Sequence, residues 1–257
     1  MPMTKPRSAT LSALAIAAAL SAAASTADAI DFGGVLKGGA TALKAANLSD
    51  SDIKELSDRS CAELDSKNQV AGPATKYGAR LSRVVADMPT SINGQPVSYK
   101  AYLVTNVNAW AMANGCVRVY AGLMDMMDDD ELRGVIGHEQ GHVALGHSKG
   151  SMQTAYATAA ARELAGAAGG QVAQLSQSQI GDLAEKFVNA QHSQKQESEA
   201  DNYSFDLLTK QKLKREGLVT AFQKLAKMDG GKSSMLSSHP SSSDRAANMQ
   251  RKLDAKS

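Results

Sequence analysis

Aromatic residues are scarce in this chain: Phe, Trp and Tyr together make up 4% of its 257 residues, with a single tryptophan. A β-sandwich or barrel relies on aromatic and β-branched cross-strand pairs, so their scarcity in an alanine-rich chain favours a mainly helical protein. Charge of one sign is also missing, since 28 Lys and Arg against 26 Asp and Glu leave a net +2. A nucleic-acid binder would show a basic face, and the near balance argues against one. Two cysteines are too few for a disulfide scaffold or a cysteine-rich structural zinc site. Beyond the N-terminus there is no long apolar run. The stretch from Ala155 to Ala173 comes closest, and Arg162 and Glu163 interrupt it. What remains is 43% hydrophobic and 21% charged, a balance that excludes wholesale disorder and allows a sizeable core.

Residues 1–29 read as an export signal. Lys5 and Arg7 form a short basic region, Leu11 to Ala24 is uncharged and alanine-dominated, and Ala27-Asp28-Ala29 fits the small-residue cleavage pattern. The uncharged run is shorter than the roughly 20 residues a membrane span needs. Cleavage is therefore predicted after Ala29, and no cysteine near the cut offers a site for a lipid anchor. Export permits a bridge between Cys61 and Cys116. The alternative is two buried thiols, and the bridge is favoured because free thiols are a liability in an oxidising compartment.

Residues 30–48, rich in glycine and alanine, read as a loose leader. No repeat or boundary divides residues 49–257, which are taken as one domain. Apolar spacing predicts helices over 48–68, with Ser49 as N-cap, and over 74–88. Alternation predicts a strand from Pro96 to Thr105. Asn114-Gly115 between the runs Trp110–Met112 and Cys116–Tyr120 is a hairpin signal, so residues 96–120 are expected to form a small antiparallel sheet. Asp128-Asp129-Asp130 caps a helix running to about His147. Further helices are expected near 151–168, 175–209, 215–228 and 243–254, with a Ser-rich loop at 233–243. The expected class is α+β, mainly helical, with the small sheet beside the capped helix.

That helix carries His138-Glu139-Gln140-Gly141-His142. Positions i and i+4 lie about 40° apart on a helix, so both imidazoles reach one point. Glu139, about 100° around from His138, can act on a metal-bound water without occupying the metal. Leu132, Val135, Ile136 and Val143 make an adjoining apolar stripe that turns this face inward. Gly137, Gly141 and Gly146 allow another backbone to approach. A catalytic zinc site wants a third protein ligand and an open position. His147 is rotated away on a continuous helix and reads as a capping or buried hydrogen-bonding residue. Glu197, with Asp201 four residues on, is the better third ligand, and Asp201 can support His138 or His142. Glu199 faces elsewhere, and His192 reads as an ordinary helix residue.

The motif His-Glu-x-Gly-His, followed 55 residues after His142 by Glu197-x-x-Ala-Asp201, resembles the HtpX/CAAX-prenyl-protease type of zinc metallopeptidase, a gluzincin family. Asn108-Ala109-Trp110-Ala111, Met112 to Cys116, Gly122 to Asp125, and His239-Pro240 with Arg245 resemble its exported, soluble-domain members. The resemblance implies a zincin-like metallopeptidase domain holding one Zn2+ through His138, His142 and Glu197, with Glu139 as general acid and base. It also implies a periplasmic endopeptidase acting on unfolded, misfolded or envelope proteins.

His239 is expected either to stabilise the oxyanion or to plug the site as a fourth zinc ligand. Arg245 would orient its loop or the substrate. Asn108, Ala109, Trp110 and Ala111 would form a shelf to which an extended peptide adds by main-chain hydrogen bonds. No nucleic-acid partner and no transmembrane span are expected, while peripheral association with the outer membrane stays open. Two rivals remain at this level: a zinc-stabilised chaperone or assembly factor with little proteolysis, and a zinc hydrolase of small molecules.

Overall fold

A computed structural model describes residues 48–163, 175–228, 235, 238–239 and 242–255. The expected export signal and all of the leader except Leu48 lie outside the described residues. Helix α1 (Asp50–Lys67) starts at Ser49, whose side chain accepts from the Asp52 amide while the Asp52 carboxylate accepts from the Ser49 amide. This reciprocal capping satisfies two N–H groups that the first turn would leave unpaired. Thr75 caps α2 (Lys76–Val84) in the simpler one-sided way.

Strands β1 (Ser91–Ile92) and β2 (Gln95–Pro96) form a minimal antiparallel pair. The main sheet contains β3 (Ser98–Tyr102), β4 (Ala109–Ala111) and β5 (Cys116–Tyr120) in the order β3-β5-β4. The hairpin expected at Asn114-Gly115 joins β4 to β5 in antiparallel register, and Gly115 takes φ +82° at its turn. β3, however, pairs with β5 in parallel, so this sheet is mixed rather than antiparallel throughout. The reason is topological: residues 103–108 carry the chain past β5, and β4 then returns on its far side. β4 becomes an edge strand, with one side unpaired in the sheet among the described residues.

The remaining elements among the described residues are helices: α3 (Ala121–Met126), α4 (Asp129–Ala144), α5 (His147–Glu163), α6 (Gln177–Val188), α7 (Gln194–Lys210), α8 (Glu216–Lys227) and α9 (Ser242–Asp254). The single helix expected over 175–209 is two. α6 ends at Val188, and Ser193 opens α7 with a new capping box to Gln196. α4 lies among the sheet, α7 and α8. Its Leu132, Val135 and Ile136 are fully buried in one core with Phe205, Leu208, Leu218 and Phe222. A second core joins α1, α5 and α6 through Leu56, Met152 and Leu183, with Tyr102 and Trp110 from the sheet. Each such side chain contributes about 1.5–3 kcal/mol on burial. Cys61 and Cys116 are disulfide-bonded, tying α1 to the start of β5. No helix among the described residues is long and apolar enough to cross a membrane.

Candidate metal centre

Two helices bring the site together. α4 begins at Asp128, whose carboxylate accepts from the Glu131 amide at 2.9 Å while Glu131 accepts from the Asp128 amide at 2.8 Å. Acids at Asp129, Asp130 and Glu131 then sit where the helix dipole favours negative charge. α7 crosses α4 at close range because Gly141 has no side chain. A Cβ there would lie 3.0 Å from both Cα and O of Ala200. The polar stripe of each helix therefore faces the other, and His138, His142, Glu197 and Asp201 are all buried.

One ligand atom from each of His138, His142, Glu197 and His239 lies within 4.8 Å of the other three. His142 Nε2 is 3.0 Å from His138 Nε2 and 3.2 Å from Glu197 Oε1. His239 Nδ1 is 2.9 Å from Glu197 Oε1 and 3.3 Å from His138 Nε2. His138 turns Nδ1 to Asp201 Oδ1 at 2.8 Å, which leaves Nε2 facing the cluster. Buried imidazole nitrogens facing one another around a carboxylate suit a divalent cation, and the donor set of nitrogen and oxygen is of that kind.

Glu139 stands beside this group. It is buried, its Oε1 has no hydrogen-bond partner, and that atom is 3.5 Å from His239 Nε2. Burial pushes its pKa up, against the opposing charges of His239 and His138. Burial would raise Glu197 as well, but the neighbouring charges of His239 and His138 hold it far below the usual carboxylate range. Burial holds His142 well below its ordinary value and hence neutral, as a metal ligand must be. For His239, burial lowers the pKa, and the nearby Glu139 and Glu197 more than reverse this.

Arg245 comes from α9 and points at the acids of α7, with Nη1 2.6 Å from Glu197 Oε2. The structure thus gives it a positioning contact to Asp201 and Glu197 inside the cluster. Glu199 does face away from the cluster, as expected, yet it has a partner: its Oε2 lies 3.3 Å from His147 Nε2. His147 in turn places Nδ1 3.0 Å from His142 Nδ1, and stays outside the four-residue group. Gly146 differs from the expectation of a close backbone approach: nothing lies near its Cβ position, and it serves through φ +79° instead.

His192 corrects the sequence reading. It sits in the break between α6 and α7, its amide donates to Ser238 O, and its ring stacks on His142 with centroids 3.8 Å apart. Burial pushes its pKa down to about 3, with the His239 charge adding to the effect. The signal was present in Ser193-x-x-Gln196, a capping box that starts a helix just after His192. All five histidines of the chain therefore gather here.

The wall of the cleft is β4. Asn108 and Met112 share backbone hydrogen bonds with Tyr120 and Cys116, so the outward groups of the strand belong to Ala109 and Ala111. Ser148 Oγ already donates to the Ala111 carbonyl at 2.8 Å. Trp110 is 4% exposed and packs edge-on to Tyr102, and the Asn108 side chain is buried with Oδ1 unpartnered. The space bounded by Ala109, Ala111, Glu139, His142, His192 and His239 is about 20 Å³, room for about one water.

Residues 76–253 match Peptidase family M48. The chain is 50% identical to Metalloprotease YcaL of Escherichia coli (strain K12) over 244 residues, 95% of this chain and 96% of that protein. It is 52% identical to Metalloprotease LoiP of the same organism over 227 residues, 88% of this chain and 90% of that protein.

Proposed function

The chain belongs to peptidase family M48, and from that premise we propose that it is an exported, zinc-dependent endopeptidase in which His138, His142 and Glu197 hold the metal and Glu139 is the general base. A divalent ion at this position supplies Lewis acidity, which polarises a peptide carbonyl and eases ionisation of water. Glu139 accepts a proton at its carboxylate as water attacks, and returns it to the leaving amine. Its raised pKa suits both halves of that transfer. The carrying observation is the buried Oε1 of Glu139, free of any hydrogen-bond donor and adjoining a four-donor cluster.

The edge of β4 is the proposed substrate shelf. The outward N–H and C=O of Ala109 and the N–H of Ala111 can pair with an extended peptide, while Asn108 and Trp110 support the strand from within. Recognition through backbone groups suits unfolded or misfolded chains, and with cleavage after Ala29 those would be periplasmic or envelope proteins. Peripheral association with the outer membrane is compatible with this role. His239, with Nδ1 among the metal-facing atoms and only about 20 Å³ beside it, fills the position a substrate would need. Of the two roles open to His239, this geometry favours the plug, withdrawn when substrate enters.

The test is cleavage of unfolded casein measured together with metal content. Wild type should contain zinc and cleave, Glu139→Gln should keep zinc and not cleave, and Glu197→Ala should lose the metal. Equal cleavage by wild type and Glu139→Gln would sink the assignment. A zinc-loaded wild type that binds casein without cutting it would instead favour a chaperone.

A further inference from the structure

The two histidines of α4 are each steered by a carboxylate of α7, but by different routes. For His138 the contact is direct, Nδ1 to Asp201 Oδ1 at 2.8 Å. For His142 it passes through a second imidazole. Glu199 Oε2 is 3.3 Å from His147 Nε2, and His147 Nδ1 is 3.0 Å from His142 Nδ1. A carboxylate only accepts hydrogen bonds, so His147 carries its proton on Nε2. The Nδ1 of neutral His147 is then a lone pair and can only accept. The proton in the contact between the two rings therefore belongs to His142 Nδ1. This leaves His142 Nε2 as a lone pair, and Nε2 is the atom turned toward Glu197 and His138.

We propose that Glu199 and His147 form a relay that fixes the tautomer and the orientation of His142, making both of them positioning residues of the metal site. The inference rests on reading His142 as a metal ligand.

The fold supplies the geometry this relay needs. α4 ends at Ala144, and Gly146 at φ +79° turns the chain in a conformation that favours glycine. α5 then opens with His147, whose ring comes back to 5.1 Å from that of His142. Ser148, the next residue, is anchored to the Ala111 carbonyl of β4, which pins the start of α5 in place. His147 is 8% exposed, whereas the Glu199 side chain is 43% exposed with Lys195 at 3.7 Å, so the acid sits at the rim beside a cation. Asp201 and Glu199, about 200° apart around α7, thus serve one purpose from two different faces of the helix.

The test uses the full chain stripped of metal. Zinc affinity is measured by competition with a chromophoric chelator, and histidine tautomers are read from 15N–1H correlations of the metal-free protein. His147→Leu fills the space without an acceptor and should weaken zinc binding about tenfold or more. His147→Asn offers a carbonyl oxygen near the position of Nδ1 and should recover most of the affinity. Glu199→Lys should donate to His147 Nε2, reverse the relay and weaken binding as His147→Leu does, while Glu199→Gln should stay close to wild type. In the spectra, His142 should be protonated on Nδ1 in wild type and lose that preference in Glu199→Lys.

If His147→Leu binds zinc within about twofold of wild type, or if the Leu and Asn variants are equally weak, the relay is refuted in favour of packing. The spectra read the relay with no metal present. A wild type that binds no zinc would overturn the reading of the site while an Nδ1–H His142 still upheld the relay. An Nε2–H His142 would overturn the relay whatever the affinity.

Discussion

Arg245 grips Asp201 through a forked pair of hydrogen bonds, Nε to Oδ2 at 2.8 Å and Nη2 to Oδ1 at 2.6 Å. The same guanidinium reaches Glu197 and lies 4.2 Å over the Phe222 ring. One buried cation thus links α9 to two acids of α7 and, through Asp201, to His138. Burial raises the Asp201 pKa, but Arg245 outweighs it and keeps the acid ionised.

Replacing Arg245 by Met should leave Glu197 and Asp201 as uncompensated buried charges. Breaking a buried pair from one side costs about 3–5 kcal/mol. Urea unfolding of the metal-free protein should show a loss of that size, with a smaller loss for Arg245→Lys, which keeps the charge but not the planar fork. An Arg245→Met variant as stable as wild type would refute this account.

Gly141→Ala tests the close approach of α4 and α7. The added methyl would meet Ala200 backbone atoms at 3.0 Å and Tyr203 Cβ at 3.2 Å, so the helices must separate. Overpacking of this kind costs about 1–3 kcal/mol. Because Glu197 rides on α7, zinc content should fall with stability. A lower melting temperature with full zinc occupancy would show that the helices yield elsewhere than at the ligands.

These two cases mark how far the sequence reading reached. His138 with His142 and Glu197 with Asp201 were legible because residues at i and i+4 share one face of a helix, and Glu139 because one residue on lies about 100° around. The cap at Asp128 and the hairpin at Asn114-Gly115 were legible from local pattern alone. The parallel pairing of β3 with β5 was not, since it depends on where residues 103–108 cross and no local pattern records that. The reading of His147 as a buried hydrogen-bonding residue outside the metal group holds, but its partner His142 escaped, as did the role of His192, because each was placed on a continuous helix. Gly146 ends the first helix and Ser193 begins the second, and these breaks swing both rings to His142. Arg245 was named from its motif, but its contact with both Asp201 and Glu197 comes only from the packing of α9.

The bridge between Cys61 and Cys116 closes a separation of 55 residues. A cross-link of that loop length restricts the unfolded chain by about 4 kcal/mol. The double variant Cys61→Ala/Cys116→Ala should lose about that much stability in denaturant titrations. Zinc content should be unchanged, because neither cysteine is among the residues of the metal cluster. Loss of zinc in a folded double variant would contradict this separation.

Asp65 gives a pH dependence of known sign. Burial would raise its pKa, but hydrogen bonds from Arg118, Lys100 and Tyr102 outweigh burial and bring it down to about 2. A carboxylate with a depressed folded-state pKa stabilises the fold above its unfolded value near 4, and that contribution disappears as pH falls toward 2. The side chain is 18% exposed, so with screening the contribution is about 1–2 kcal/mol. The stability gap between wild type and Asp65→Asn should therefore shrink between pH 5 and pH 2 in urea titrations. A gap constant over that range would show that Asp65 acts through packing alone.

His239→Ala separates the two roles open to that residue. Its Nδ1 lies 2.9 Å from Glu197 Oε1, within the four-residue cluster, and its Nε2 lies 3.5 Å from Glu139. As a plug, it contributes a donor to the metal and blocks the approach of a peptide. Its removal should then weaken zinc binding while raising casein cleavage by the zinc-saturated enzyme. As an oxyanion donor, its removal should instead cut kcat by about 10²–10³ with zinc binding intact. Measuring zinc affinity and kcat on the same preparation distinguishes them, and the crowding of His239 against Glu139 and Glu197 predicts the first result.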